Sequence, residues 1–285
     1  MVSLPTFQTV KLEYHDPGVL VMTFNRPARM NSMVPASYSE WKQVMEYTRT
    51  EAAIRVLIIT GSGRAYTAGQ DLSTHSAPDN NTGTKEEEEE EEAKKRDVQR
   101  RNEVTRNLTR LLITSPIPII AAVNGPAIGY GCTTLALCDL VLSVSSAVFR
   151  TPFAELAFCA EGCSSVTFPR ILGPMLANDM ILFGKSVTAN EMHQRGFIAR
   201  LVDPEDLMPT ALRLAKELAG RSHEAIKASR ALIRNQAYVD ELLHANDAEM
   251  DELYRRMISD DAKQAIARMF AMLQAKAKKA TKSKI

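Results

Sequence analysis

Four short apolar runs punctuate the first half of the chain, and they bound its fold more tightly than any other feature. They are VLVMTF (Val19 to Phe24), RVLIITG (Arg55 to Gly61), the centre of PIPIIAAVNG (Pro116 to Gly125) and LVLSV (Leu140 to Val144). Each is apolar almost throughout rather than alternating. A strand of that kind is buried on both faces, as in parallel sheets covered by helices. Helical patterns separate the runs. From Tyr38 to Thr50, the residues Trp41, Val44, Met45 and Thr48 recur on one face. The expected class is α/β with parallel pairing.

Farther along, Thr188-Ala-Asn-Glu191 spells a capping box, opening a short helix that should stop at Gly196. From Pro204 onward nearly every stretch is helical in pattern. Residues 1–200 are therefore read as an α/β core and 201–285 as a helical C-terminal region. Extended helical ends of this kind serve subunit contacts, so an oligomer is expected. One segment, about 73–100, breaks the pattern. It is polar and low in complexity, and holds seven consecutive glutamates, Glu86 to Glu92. Like charges in a block repel and stay solvated, which predicts an exposed, mobile insertion.

The chain of 285 residues, 45% hydrophobic and 24% charged, can bury a sizeable core without staples. A net charge of +1 provides no strong field for nucleic acid, and basic residues do not interleave with aromatic ones. No apolar stretch approaches the roughly 18 residues of a membrane span. The cysteines are Cys132, Cys138, Cys159 and Cys163, with no histidine between the first and the last. That spacing offers no zinc set, so no metal is expected, and buried thiols of a reducing compartment are the plain reading. The N-terminus lacks the basic and apolar regions of a secretion leader. The last three residues, Ser283-Lys284-Ile285, are one conservative change from the peroxisomal address S-K-L. A peroxisomal import receptor is thus an expected partner, and the peroxisome the expected compartment.

Two stretches share a design suited to chemistry. ITGSGRAYTAGQDL (Ile59 to Leu72) and AAVNGPAIGYGCTTLALCD (Ala121 to Asp139) each run from a strand end through a glycine-rich turn toward a helix start. Free backbone N–H groups at such starts favour negative charge. Two of them converging on one oxygen would make an oxyanion hole, although glycines also simply make turns. In FNRPARMNSM, Arg26 and Arg29 are candidates for phosphates, or for ordinary surface cations. There is no H-E-x-x-H, no G-x-S-x-G, and the five histidines are scattered. That leaves carboxylates. FRTPFAELAFCAEGCSSVTFPRILG (Phe149 to Gly173) is mostly apolar and small, yet holds Glu155 and Glu161. A glutamate in an apolar pocket becomes a competent proton shuttle near neutral pH; one facing solvent does not.

Together these stretches resemble the crotonase superfamily, the enoyl-CoA hydratases and isomerases, over most of the chain from about Phe7 to Phe270. The resemblance implies a spiral of ββα units with a C-terminal helical trimerisation region, assembled as homotrimers or homohexamers. It implies an acyl-CoA thioester as ligand, so coenzyme A is part of the substrate and no separate cofactor is expected. It matches the N–H groups of Ala68 and Tyr130 to an oxyanion hole for the thioester carbonyl. Residues Ala68, Gly69, Gln70, Asp71 and Leu72 would line the CoA and acyl path, with Arg29 near the pantetheine and phosphates.

Within that family the acids decide the reaction. Hydratases use two glutamates, and the matching positions here are Thr133 and, within a residue or two, Phe153, with Glu155 nearby. AEGCSSVTFPRI instead resembles the segment of the peroxisomal delta-3, delta-2-enoyl-CoA isomerases that holds one catalytic glutamate, which matches Glu161. The resemblance therefore implies isomerisation of 3-enoyl-CoA to trans-2-enoyl-CoA, in peroxisomal fatty acid β-oxidation. Its rival is a hydratase or another crotonase-type lyase of specialised metabolism, using Glu155 with Glu161. A non-catalytic acyl-CoA-binding or RNA-binding homologue is the reading from another class.

Overall fold

The computed structural model describes residues 3–72 and 85–282, with side chains outside 85–88 and 273–282. Ser283-Lys284-Ile285 and the first part of the insertion, 73–84, lie outside the described residues. In chain order the elements are β1 (Val10–His15), β2 (Val19–Phe24), α1 (Pro35–Thr50), β3 (Val56–Gly61), α2 (Lys85–Ile113), β4 (Ile119–Val123), β5 (Ala127–Ile128) and α3 (Tyr130–Thr133). Then follow β6 (Leu140–Val144), β7 (Val148–Arg150), α4 (Ser164–Leu172), α5 (Pro174–Ile181), β8 (Val187–Thr188), α6 (Ala189–Gln194) and β9 (Arg200–Val202). The chain closes with α7 (Leu207–Ala219), α8 (His223–Ile233), α9 (Gln236–Met257) and α10 (Asp260–Lys282).

The four apolar runs are neighbours in one sheet, of order β1-β2-β3-β4-β6-β9. The pairings from β2 through β3, β4 and β6 to β9 are all parallel. Every residue of β4 is buried, as its unbroken apolar sequence requires. Helix α7 packs across β2, β3, β4 and β6 through a stripe of Ala211, Ala215 and Ala219, whose small side chains allow close approach. Helix α1 buries the face holding Trp41, Val44, Met45 and Thr48, with Trp41 edge-on to Phe24 of β2 at 5.1 Å. A small second sheet, β5-β7-β8, receives the second strand of two ββα units, β4-β5-α3 and β6-β7-α4.

Three features depart from the sequence reading. An edge strand, β1, pairs antiparallel with β2. Residues 85–100 are no loose insertion but the first half of α2. Glutamate and lysine are good helix formers. Here the charges pair along the helix, Glu90 with Lys94 and Glu92 with Lys95, and Glu91 reaches Lys263 of α10 at 2.8 Å. Finally, the division at residue 200 falls inside β9, which extends the main sheet, so the purely helical part starts at Leu207.

Candidate active site

The two glycine-rich turns, after β3 and β4, are laced together. Asn124 accepts a hydrogen bond from the Gly61 N–H (3.2 Å) and donates to the Gly63 carbonyl (2.8 Å). Thr67 N–H donates to the Pro126 carbonyl (3.1 Å), and Ile128 N–H donates back to Thr67 (3.0 Å). Gly131 lies so close that a Cβ there would stand 2.0 Å from Thr67 Cγ2. Asn31, in the NRPARMN segment, ties in a third loop by donating to the Ser62 and Ala65 carbonyls.

This lacing decides which N–H groups face the cavity. Ala68 N–H donates to the Met30 carbonyl at 2.9 Å, so it is spent on structure. Met33 N–H donates to the Gly69 carbonyl and Asp71 N–H to the Met33 carbonyl, a parallel bridge between Met33 and Gln70. Backbone groups alternate sides along extended chain. The Gln70 N–H therefore points away from Met33, has no acceptor among the described residues, and Gln70 lines the cavity. The Ala68 N–H expected in an oxyanion hole is therefore already used, whereas the N–H two residues on, at Gln70, has no acceptor among the described residues.

Tyr130 is the first residue of α3, where an N–H has no acceptor within the helix. Its side chain is buried, hydrogen-bonded to the Thr109 hydroxyl at 2.8 Å and edge-on to Trp41. Its bulk is thus taken up by the core, which leaves the main-chain N–H at the start of α3 unobstructed by its own side chain.

Glu161 precedes α4 in a loop that rests on α3. Gly162 has φ +64°, and a Cβ on it would lie 2.4 Å from Thr133 Oγ1. Glu161 stands on the wall of a cavity of ≈ 220 Å³, with Tyr38 and Ser39 of α1, Asn102 of α2, and Met250 and Leu253 of α9. Its carboxyl accepts no hydrogen bond among the described residues. Burial, aided by the charge of Glu249, pushes its pKa up to about 8. Near neutral pH it is therefore poised between acid and base.

The other expected site residues part company. Glu155 is exposed and ion-paired with Arg150. Phe153 is buried, and buried Thr133 donates to the Tyr130 carbonyl, so neither hydratase position carries an acid. Asp71 lines the cavity but is held by Arg26 at 3.1 Å and by the Ser32 hydroxyl at 2.9 Å. Arg26 is thereby committed, while Arg29 is exposed and forms no ion pair among the described residues. Leu72 is partly buried at the edge of the described segment. The four cysteines are free, and no described cluster of three His, Cys, Asp or Glu could hold a metal ion. No described helix is long and apolar enough to cross a membrane.

Sequence reasoning missed Asn31, Asn124 and the cavity wall formed by α2. It also missed Glu249, a buried acid in α9 that binds the Cys163 and Ser165 N–H groups. Its one sequence signal is an acid on an apolar stripe, between Ala245 and Leu253 at helical spacing.

Comparison with known proteins supplies the family. Residues 15–276 match the enoyl-CoA hydratase/isomerase family. The chain is 32% identical to enoyl-CoA delta isomerase 2 of Homo sapiens, over 91% of this chain and 62% of that protein. It thus spans about three fifths of that relative's length. It is also 32% identical to peroxisomal enoyl-CoA delta isomerase 3 of Mus musculus, over 74% of this chain and 67% of the relative. The crystal structure of an enoyl-CoA hydratase/isomerase from Pseudoalteromonas atlantica superposes with a TM-score of 0.80 at 27% identity, covering 93% of this chain and 98% of the other. With the fold, the laced turns and the match over most of its length in agreement, the chain belongs to the enoyl-CoA hydratase/isomerase family.

Proposed function

We propose that the chain isomerises a 3-enoyl-CoA to the conjugated trans-2-enoyl-CoA, with Glu161 as the only proton carrier. One observation carries this reading: Glu161 is a cavity-wall carboxylate without a hydrogen-bond or ion-pair partner among the described residues, while the positions the resemblance matches to the hydratase acids are Thr133 and, within a residue or two, Phe153. The Glu161 carboxylate takes a proton from C2. The electrons move to the thioester oxygen, giving a dienolate. The N–H groups of Gln70 and Tyr130 donate to that oxygen. Glu161 then returns the proton to C4, and the double bond comes to rest between C2 and C3. One base serving two carbons suits a 1,3-shift, whereas hydration needs a second group to orient water. Glu155, exposed and tied to Arg150, is a poor second group.

The acyl-CoA substrate follows from the family. The peroxisomal setting rests on Ser283-Lys284-Ile285 and on the peroxisomal relative. Exposed Met175, Leu182 and Phe183, in and just after α5, with Leu232 and Ile233 of α8, are apolar surface suited to subunit contacts in a trimer or hexamer. The test uses trans-3-hexenoyl-CoA and trans-2-hexenoyl-CoA separately, following absorbance of the conjugated thioester. The expected result is conjugation gained from the first and little lost from the second. Rapid loss from the second would make the protein a hydratase instead.

A further inference from the structure

We propose that Glu249, on α9, is a positioning residue that clamps the loop carrying Glu161. The proposal rests on the reading of Glu161 as the base. Glu249 is 7% exposed and forms no ion pair among the described residues. Its two carboxylate oxygens accept from different main-chain donors, Cys163 N–H at 2.7 Å and Ser165 N–H at 2.9 Å. These are the N–H groups of the N-cap residue and of the second residue of α4, and the N-cap, Cys163, supplies no side-chain cap of its own. Glu249 therefore caps α4 from another helix.

The loop is pinned to α9 at both ends. The Cys159 thiol donates to the Glu249 carbonyl at 3.8 Å, and the Cys163 thiol to the Leu242 carbonyl at 3.3 Å. Glu161 stands between these anchors. Only a carboxylate at 249 can accept from both N–H groups with both oxygens; the amide of glutamine accepts with one.

The clamp has an electrostatic consequence. A negative Glu249 disfavours a second charge on Glu161, adding to the effect of burial. Burial holds Glu249 above its usual range as well, but its Ser165 and Cys163 donors counter part of that effect, whereas Glu161 has no such donors among the described residues, so Glu161 takes the proton first. The other groups facing the pair come from α1, α2, α3, α9 and the loop itself. Tyr38 from α1 and Tyr130 from α3 are pushed well above their usual range by burial, as are the thiols of Cys159 and Cys163 on the loop. Arg100 and Arg101, on α2, and Asp71, paired with Arg26, line the same cavity as Glu161. Asp247, on α9, is held below its usual range by Arg110 and Arg106, and Glu252 is a surface carboxylate paired with Arg255.

The experiment compares Glu249→Gln and Glu249→Asp with the parent chain. Two quantities are read: the pH profile of kcat/KM on trans-3-hexenoyl-CoA, and the titration of Glu161 by carboxyl 13C NMR, its signal assigned by loss in Glu161→Gln. In the parent both should turn near pH 8. Glu249→Gln should move both midpoints down by about one pH unit and lower the plateau of kcat roughly tenfold. Glu249→Asp keeps the charge but shortens the reach, so it should lower kcat with the midpoint close to the parent's. A Glu161 titration unmoved in folded Glu249→Gln, with kcat intact, would overturn the proposal. If the parent chain shows no isomerisation at all, the function fails but the NMR titration still judges the clamp. If Glu249→Gln does not fold, a Glu249→Asp midpoint shifted as far as loss of the charge requires would refute it instead.

Discussion

Glu155 and Glu161 stand in one short apolar stretch, and the fold gives them opposite fates. Glu155 follows a 3₁₀ turn onto the surface and pairs with Arg150, whose guanidinium also donates to the Gly184 carbonyl. Glu161 turns inward, over α3, to a cavity wall where it has no ion-pair partner among the described residues. The difference comes from distant residues. Gly162, lacking a Cβ, settles tightly against Thr133 of α3, and Glu249 grips the loop from α9. A carboxylate's role is set by what surrounds it, and those surroundings are assembled from other parts of the chain.

That contrast can be broken most sharply at Glu161. Glu161→Gln keeps the shape and removes the proton carrier, so kcat should fall roughly 10³-fold, measured by thioester conjugation. A variant retaining more than a tenth of the activity would end the single-base account. Next in size is the oxyanion position. Gln70→Pro removes the N–H aimed at the dienolate and should lower kcat on the order of 10²-fold in protein whose Tm shows it folded. Gln70→Ala keeps that N–H and should stay within about threefold of the parent. Equal losses in the two would point to the Gln70 side chain instead.

Gly131→Ala probes the lacing itself. Its Cβ would collide with Thr67 Cγ2, so a loss of about 1–3 kcal/mol in stability is expected, read as a Tm lowered by several degrees. An unchanged Tm would mean that the turns are looser than described. Glu155→Gln removes an exposed ion pair, and kcat and Tm should barely change. A large loss of kcat there would restore Glu155 as a catalytic partner.

The smallest effect separates the two acids by pH. The pKa of Glu161 is raised on folding, so its charge penalises the folded state above the usual carboxylate range, increasingly until about pH 8. Below the unfolded value both states are protonated and the penalty is absent. Glu161→Gln should therefore raise Tm at pH 9 and leave it unchanged near pH 4, by thermal melts at both. No such gain is expected from Glu155→Gln.

The sheet was legible because β2, β3, β4 and β6 are buried along nearly their whole length, and that burial writes itself into an unbroken apolar sequence. The capping box at Thr188 and Glu191 was equally plain, since its partners are three residues apart. Helix α2 was hidden because its first half is solvated and carries no apolar period; only farther along do Leu108 and Leu112 face the core. Which N–H of the first turn is left without an acceptor was hidden for another reason. Which of Ala68 and Gln70 points outward depends on pairing with Met30 and Met33, a tertiary choice the motif does not display. Glu161 could be found from its own segment, whereas Glu249 acts on that segment from a helix far downstream.

The most direct test follows one atom. The account has a single carboxylate carry the proton from C2 to C4 inside a cavity. With 3-hexenoyl-CoA deuterated at C2, mass spectrometry and NMR of the early product should find a substantial share of the label at C4. Products whose C4 hydrogen comes wholly from water, at every stage of turnover, would contradict a single shuttle at Glu161.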